Sequence, residues 1–491
     1  MSPVGVSYHP VLDVMSSNLL RRSYAHALAV GIGYGVFVRL RQYAGRPSYW
    51  YDEAFLLLNI AHRSAGQLLG AIDYRVVAPP AFLWTLRALY LAAGGSEWVM
   101  RLPGLVASLA ALALMVPLAR AAVRHWLWPC AVVFAVFSYH GVDLSYEVRP
   151  YTVDALMTEI VLLATIGTLE PASPAQARFA WHGLLAAALI GPWMSFPSVF
   201  VLAGAAAAAA LQSAEGDPRW RRRAIVLSMI AGISAAVLWV VSARALYYPG
   251  LTREWTERWA PPISKGSSAA WLITCPVSVG DYATTGAGIP FTVLAAIALA
   301  HGGRPVAVRV LFGVPILLLI AGSFLRFYPC GDRLGYFAAP LFWLLATLGL
   351  RAVAERWPST SRKWIWSAAA LLIVADAARG AGFAAHTKPR VDFRSAFEFV
   401  RAHRSAGDRL WTTSPETYEV YYGRDPSFLV GSPEAAVTMR QEDRLWIVSP
   451  AIPIARLLES DLGTLNGRRV LTGLAGNLEV ALFAPPASAR Q

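Results

Sequence analysis

Trp50-Tyr51-Asp52-Glu53 places two adjacent carboxylates just after the first long apolar run of the chain. A carboxylate within hydrogen-bond reach of a hydroxyl or amine can take its proton, so Asp52 and Glu53 are candidate catalytic bases. The local alternative is that Asp52 caps a helix and Glu53 favours its positive end. A second acidic cluster, Glu147-Val148-Arg149-Pro150-Tyr151-Thr152-Val153-Asp154, opens another apolar run. Pro150 suits the first turn of a helix, which puts Tyr151, Asp154 and Thr158 on one face. Ionisable groups at bilayer depth are costly and face a cavity or each other. Asp52 and Asp154 are therefore expected to meet across a cavity, against the plainer reading of a structural pair between Arg149 and a carboxylate. The third group is Phe327-Tyr328-Pro329-Cys330-Gly331-Asp332-Arg333. A guanidinium matches phosphate geometry, so Arg149 and Arg333, ahead of Arg326 and Arg75, are candidates to hold a phosphate. For Arg326, interfacial snorkelling is the alternative. A phosphate-binding glycine loop, HExxH and paired CxxC are all missing from the sequence, and His62 and His140 stand alone and read as structural.

These residues need a scaffold, and composition says which kind. Of 491 residues, 56% are hydrophobic and 15% charged, where a soluble domain has about 45–50% and about 25%. Apolar runs of roughly 20 residues recur, the length that crosses a bilayer. The net charge of +13 would suggest nucleic acid in a soluble chain. Here the basic residues cluster at the ends of apolar runs, as the positive-inside rule expects, and no nucleic-acid partner is implied. About eleven spans are predicted, near 23–40, 104–122, 126–142, 151–168, 179–194, 196–212, 224–243, 286–302, 308–326, 334–352 and 364–382. Gly191-Pro192 and Pro197 interrupt the pair at 179–212, where one broken helix lining a cavity is the alternative. Arg21-Arg22, Arg120 with Arg124, Arg219 with Arg221-Arg222-Arg223, and Arg351 with Arg356, Arg362 and Lys363 fall on alternate ends and are expected in the cytoplasm. The N-terminus is then inside, with an uncleaved anchor, and the C-terminus outside.

Two outward segments are too long for connectors. In 41–100, helices are expected from Glu53 to about Ile72 and from Pro79-Pro80 to about Ala93, both lying at the interface. The other, 244–285, is rich in Trp and Tyr and reads as an interfacial loop. Cys275 and Cys330 then both lie outside, where oxidation can pair them. From 386 to 491 charge returns, and strands at 409–413, 427–430 and 444–448 alternate with helices at 393–403, 416–422 and 453–459. That pattern predicts a small soluble α/β domain, separate from a transmembrane domain over 1–385.

The ordered set Tyr51-Asp52-Glu53-Ala54, Asp73-Tyr74, Ala78-Pro79-Pro80-Ala81-Phe82-Leu83-Trp84, Ser96-Glu97, Arg101-Leu102-Pro103, Glu147-Val148-Arg149-Pro150-Tyr151 with Asp154, Ser195-Phe196-Pro197 with Phe200, and Tyr328-Pro329 with Arg333 before Pro340 spans about 20–350. In order and spacing it resembles bacterial membrane glycosyltransferases of the GT-C fold, near the protein O-mannosyltransferases and the lipid A aminoarabinose transferases. The resemblance implies a catalytic Asp in the first outward loop, which falls on Asp52. It implies a polyprenyl-phosphate-linked sugar donor used on the outer side of a bacterial cytoplasmic membrane, among membrane lipids. Family members often carry a charged residue before the Pro-Pro pair; this chain has Val77-Ala78 there, so that contact is not carried over. A lipid phosphate leaves well, so no cofactor is required. Arg side chains or a divalent metal would stabilise the leaving charge. The acceptor, whether glycan, lipid or protein, is not named by the sequence. The competing classes are a lipid-linked sugar transporter or flippase, which should show related halves that this chain lacks, and a non-catalytic assembly partner, which should have lost the acidic pair.

Overall fold

The computed structural model describes residues 18–214, 217–246, 259–262, 267–301, 303–356, 359–385, 391–430, 444–449, 469–475 and 478–483. The first span window lies on α1 (Asn18–Ala44). In the following loop, α2 (Tyr51–His62) is shorter than expected, giving way to single turns at Gln67–Leu69 and Asp73–Arg75. In its last turn the Asn59 side chain bonds both the Phe55 carbonyl of the same helix and the backbone of Asp73. Helix α3 (Pro80–Ala93) starts at Pro80 and stops at Gly94, whose φ of 79° suits glycine alone.

The bundle continues with α4 (Glu97–Val123), α5 (Trp128–Phe137), α6 (Tyr139–Asp143), α7 (Tyr151–Leu169), α8 (Pro174–Met194), α9 (Ser198–Ala214) and α10 (Pro218–Leu238). After the broken pair α11 (Ser267–Ala283) and α12 (Gly288–His301) come α13 (Val306–Phe324), α14 (Ala339–Arg356) and α15 (Ser359–Ala385). All eleven windows fall on these helices. Among the described residues, five are by themselves long and apolar enough to cross a membrane: Glu97–Val123, Tyr151–Leu169, Pro218–Ala243, Val306–Phe324 and Asp332–Arg356. Others are cut short: the window at 126–142 breaks at Ser138, whose hydroxyl accepts the Gly141 N–H at 3.1 Å and starts a new helix. Across 179–212 there are two helices, separated at Ser195–Pro197. Helix α14 is central, with Leu341, Phe342, Trp343, Leu344 and Leu345 all buried.

The expectation that 244–285 is only an interfacial loop is corrected. Within it α11 is helical and turns through 108° into α12, and together they are apolar enough for one broken span. The break is built rather than frayed. Gly286 sits at φ 87°, and the freed Thr285 N–H is taken by Asp376 of α15 at 2.7 Å. Cys275 in α11 is disulfide-bonded to Cys330.

The C-terminal part is α/β. Helix α16 (Phe393–His403) is followed by β1 (Arg409–Thr412), α17 (Pro415–Tyr422), β2 (Leu445–Ser449), β3 (Arg469–Ala475) and β4 (Leu478–Phe483). The sheet order is β1-β2-β4-β3, with β1 parallel to β2 and the other pairs antiparallel. Phe393, Phe397 and Val400, on one face of α16, bury against Tyr418 and Trp446. The expected strand at 427–430 is reduced to one bridge, Leu410 to Leu429, and the expected helix at 453–459 lies outside the described residues.

Candidate active site

Residues from five separate stretches of chain, within 52–79, 149–154, 196–200, 235–243 and 327–334, line a cavity of about 900 Å³. Helix α2 contributes Asp52 and Phe55, one turn apart and so on one face. The following loop contributes Tyr74 and Arg75, the start of α7 contributes Arg149, Tyr151 and Asp154, and the loop before α14 contributes Tyr328 and Arg333.

The Asp52 carboxylate is the meeting point. Its Oδ2 lies 2.6 Å from Arg333 Nη2 and 3.2 Å from Arg149 Nη2. Arg149 Nη2 also donates to the Asp52 carbonyl at 3.0 Å. Arg333 is further oriented by aromatic faces, its guanidinium lying 5.2 Å from the Trp50 ring centre and 5.7 Å from that of Tyr151. Asp52 is not the helix cap: Trp50 holds that position and Asp52 is the second helical residue.

Glu53, a catalytic candidate by sequence, does not line the cavity. Adjacent helical residues point about 100° apart. With Asp52 on the cavity wall, Glu53 is turned into the bundle, where it is 1% exposed. There it takes both prongs of Arg101, at 2.7 and 3.2 Å, and accepts the N–H of Val148 at 2.8 Å and of Trp50 at 3.3 Å. This fixes the loop holding Val148 to the start of α2, and so delivers the neighbouring Arg149 to Asp52.

Asp154 is buried and lines the same cavity as Asp52, as the helix-face argument predicts. Tyr151 lines it too. Glu147 is buried but is not on the wall. Arg75 is on the wall with a left-handed φ of 55°. Arg326 is not: its guanidinium lies 5.7 Å from the Trp259 ring centre, as an interfacial arginine can. His140 stacks on Tyr282 and His62 lies 4.0 Å from Glu419, both away from the cavity wall. Among the described residues, no group of three or more His, Cys, Asp and Glu side chains is placed to hold a metal ion.

Sequence reasoning missed how the segment before Asp52 is held. Arg101 donates to the carbonyls of Pro47 and, at 3.1 Å, of Ser48. From the other side the C-terminal part closes on it. Tyr421 Oη of α17 accepts the Tyr49 N–H at 2.7 Å and donates to Glu97 at 2.9 Å. Glu97, 2% exposed, also pairs with Arg46 at 2.9 Å and Arg394 at 2.8 Å. Burial, with the Glu97 charge beside it, pushes the Tyr421 hydroxyl well above its usual range, so it remains a donor. Glu97 and Arg101 belong to quoted motifs, so a signal existed for them; Tyr421 has none.

No protein-family model matches the chain, and no curated protein sequence matches it. Solved structures do. ArnT from Cupriavidus metallidurans in the apo state superposes with a TM-score of 0.56 at 13% identity, over 94% of this chain and all of that one. The same protein bound to undecaprenyl phosphate gives 0.53 at 14%, over 94% of this chain and 99% of that one. Identity this low speaks for the fold alone: the chain has the polytopic helical architecture of ArnT, with a small C-terminal sheet.

Proposed function

We propose that the chain is a membrane glycosyltransferase that moves a sugar from a polyprenyl-phosphate-linked donor to an acceptor on the extracytoplasmic side, with Asp52 as general base. The observation that carries this reading is the Asp52 carboxylate on a large cavity wall, bracketed by two guanidiniums at 2.6 and 3.2 Å. Two cations around one anion leave positive charge over, which suits a phosphate. A donor phosphate competes with Asp52 for Arg149 and Arg333, both of which can bond it through paired N–H groups. As the phosphate takes them, the Asp52 oxygen they occupied becomes available to an acceptor hydroxyl or amine. The acceptor oxygen or nitrogen attacks the anomeric carbon, Asp52 takes its proton, and the bond from that carbon to the phosphate oxygen breaks. The two arginines stabilise the charge that develops on the leaving lipid phosphate. On this reading no cofactor is required. ArnT bound to undecaprenyl phosphate is a structural neighbour consistent with a lipid phosphate in such a cavity.

The two ends of the bundle support the orientation. Arg124 and Arg304 gather on Glu170, and Arg351 donates to the Val123 carbonyl, so the basic helix ends collect at one face. Asp52 and the C-terminal sheet lie together away from them, and basic ends face the cytoplasm. The test is purified protein with a panel of polyprenyl-phosphate sugars. Release of free lipid phosphate supports the reading, and no release from any donor, with or without added divalent metal, refutes it.

A further inference from the structure

Asp52 shares its helix face with two residues that the transfer mechanism leaves idle. Phe55 and Asn59 follow it at spacings of three and seven, one above the other on α2. Asn59 is 2% exposed, and both ends of its amide reach one distant residue, while its Nδ2 also donates to the Phe55 carbonyl at 2.8 Å. Its Oδ1 accepts the Asp73 N–H at 2.8 Å and its Nδ2 donates to the Asp73 carbonyl at 3.2 Å. Arg63 pins the same residue by its side chain at 2.8 Å. With Asp73 gripped this way, the chain turns through two successive non-glycine residues in the left-handed region, Tyr74 at φ 62° and Arg75 at φ 55°. Side chains rarely adopt that conformation, and a pair of them persists only where the surroundings impose it. The result is that the Tyr74 ring is laid flat on Phe55, with centres 4.9 Å apart and planes within 7°. Both rings line the cavity beside Asp52, and Tyr74 remains 42% exposed.

We propose that this Phe55–Tyr74 stack is a carbohydrate subsite that takes the apolar C–H face of a sugar ring beside Asp52, the ring belonging to either the donor sugar or the acceptor. The proposal rests on the glycosyl-transfer reading of the cavity. An aromatic face is electron-rich and a sugar ring presents C–H bonds on one side and hydroxyls around its edge. Stacking therefore holds the ring while its hydroxyls stay free for reaction. The surroundings distinguish a sugar from a lipid tail. The cavity that the stack lines also carries Asp52, Arg75, Arg149 and Arg333, polar groups that suit hydroxyls. A separate apolar stretch of the wall lies at Leu238 and Trp239, where Trp239, Val240 and Val241 are exposed.

The test uses the full-length protein in detergent and three variants, Tyr74→Phe, Tyr74→Leu and Phe55→Leu. The first measurement needs no turnover: saturation-transfer NMR with a panel of methyl glycopyranosides and methyl arabinosides. Ring C–H signals are expected in the parent and in Tyr74→Phe, and are lost in Tyr74→Leu. No signal in the parent, or an unchanged signal in Tyr74→Leu, overturns the proposal. The second measurement is lipid phosphate release. Tyr74→Leu should raise one sugar substrate's KM about tenfold, with Tyr74→Phe near the parent and undecaprenyl phosphate binding unchanged. A rise in the donor KM assigns the ring to the donor, and a rise in the acceptor KM assigns it to the acceptor. Loss of undecaprenyl phosphate binding in Tyr74→Leu makes the stack a lipid contact and overturns the proposal. If the glycosides bind through Tyr74 but no donor releases lipid phosphate, the subsite stands and the transfer reading falls.

Discussion

Exchanging the amide for the acid at two neighbouring positions should produce opposite failures. In Glu53→Gln the shape is kept and one charge is removed from a pair in which Glu53 is 1% and Arg101 3% exposed. The new amide can still accept one of the N–H groups of Val148 and Trp50. Its NH2 end then faces a guanidinium N–H and the other backbone N–H, donor against donor. Arg101 is left as a buried cation, and removing one partner of such a pair costs about 3–5 kcal/mol. Asp52→Asn has a different ledger. Asp52 and Arg333 are 17% and 22% exposed, Arg333 keeps its aromatic faces, and Arg149 keeps the Asp52 carbonyl. Its stability should change little, while turnover falls by about 10²–10⁴ with the base removed. The assay is thermal survival of the solubilised protein by fluorescence-detected size exclusion, run beside lipid phosphate release. Glu53→Gln should melt early yet turn over while folded; Asp52→Asn should melt like the parent and be inactive. A stable, inactive Glu53→Gln would refute the assignment of the two carboxylates, and an active Asp52→Asn would move the base to Asp154.

Arg149→Ala and Arg333→Ala should each weaken undecaprenyl phosphate binding by about 1.5–3 kcal/mol; parent-like binding in both folded variants ends the phosphate assignment. Replacing Cys275 and Cys330 by Ser opens a loop of 55 residues and should cost about 2–4 kcal/mol in stability. It should also weaken phosphate binding, because Cys330 anchors the turn three residues before Arg333; three free thiols in the denatured, unreduced parent would contradict the pairing. Tyr421→Phe should lower turnover, whereas Tyr418→Phe, whose hydroxyl bonds only Arg401 among the described contacts of that group, should not; equal activity in the two refutes the link from α17 to Asp52. A reporter fused after Gln491 should act as periplasmic, and cytoplasmic activity there would reverse the orientation.

The helices were legible because apolar runs of bilayer length write themselves into composition, and all eleven windows fall on helix. Their interruptions were less so. The bend between α11 and α12 depends on Asp376, which lies 91 residues from the N–H it satisfies. No local window contains that partner. The candidate site shows the same division. The carboxylates and arginines drew attention by type, and Asp52, Arg149 and Arg333 do come together. Which of two adjacent acids faced the cavity was implied only by the family resemblance, since helix phase is set by Arg101 and Val148. Likewise the loop after α2 was expected to be helical to about Ile72. Its actual course is fixed by Asn59 reaching Asp73, a contact between two polar residues with no periodicity to announce it.

The segment from Arg46 to Trp50 explains why the C-terminal part belongs to the site. It has no secondary structure of its own, yet it sets where α2 begins and therefore where Asp52 points. Buried backbone groups need partners. Those of Pro47 and Ser48 are met by Arg101 from the bundle. The Tyr49 N–H is met by Tyr421, the Arg46 carbonyl by Arg394, and the Ser48 hydroxyl donates to the Val391 carbonyl at 2.7 Å. All three of these partners lie after residue 390. Without them the Tyr49 N–H would lose its bond and Glu97, 2% exposed, would lose two of its three side-chain partners while keeping its charge. A buried charge stripped of most of its partners is costly to a fold. The start of α2 would then have to rearrange toward water, taking Asp52 with it. The small α/β part is thus the far wall of the clamp that fixes Asp52, not an appendage to the bundle.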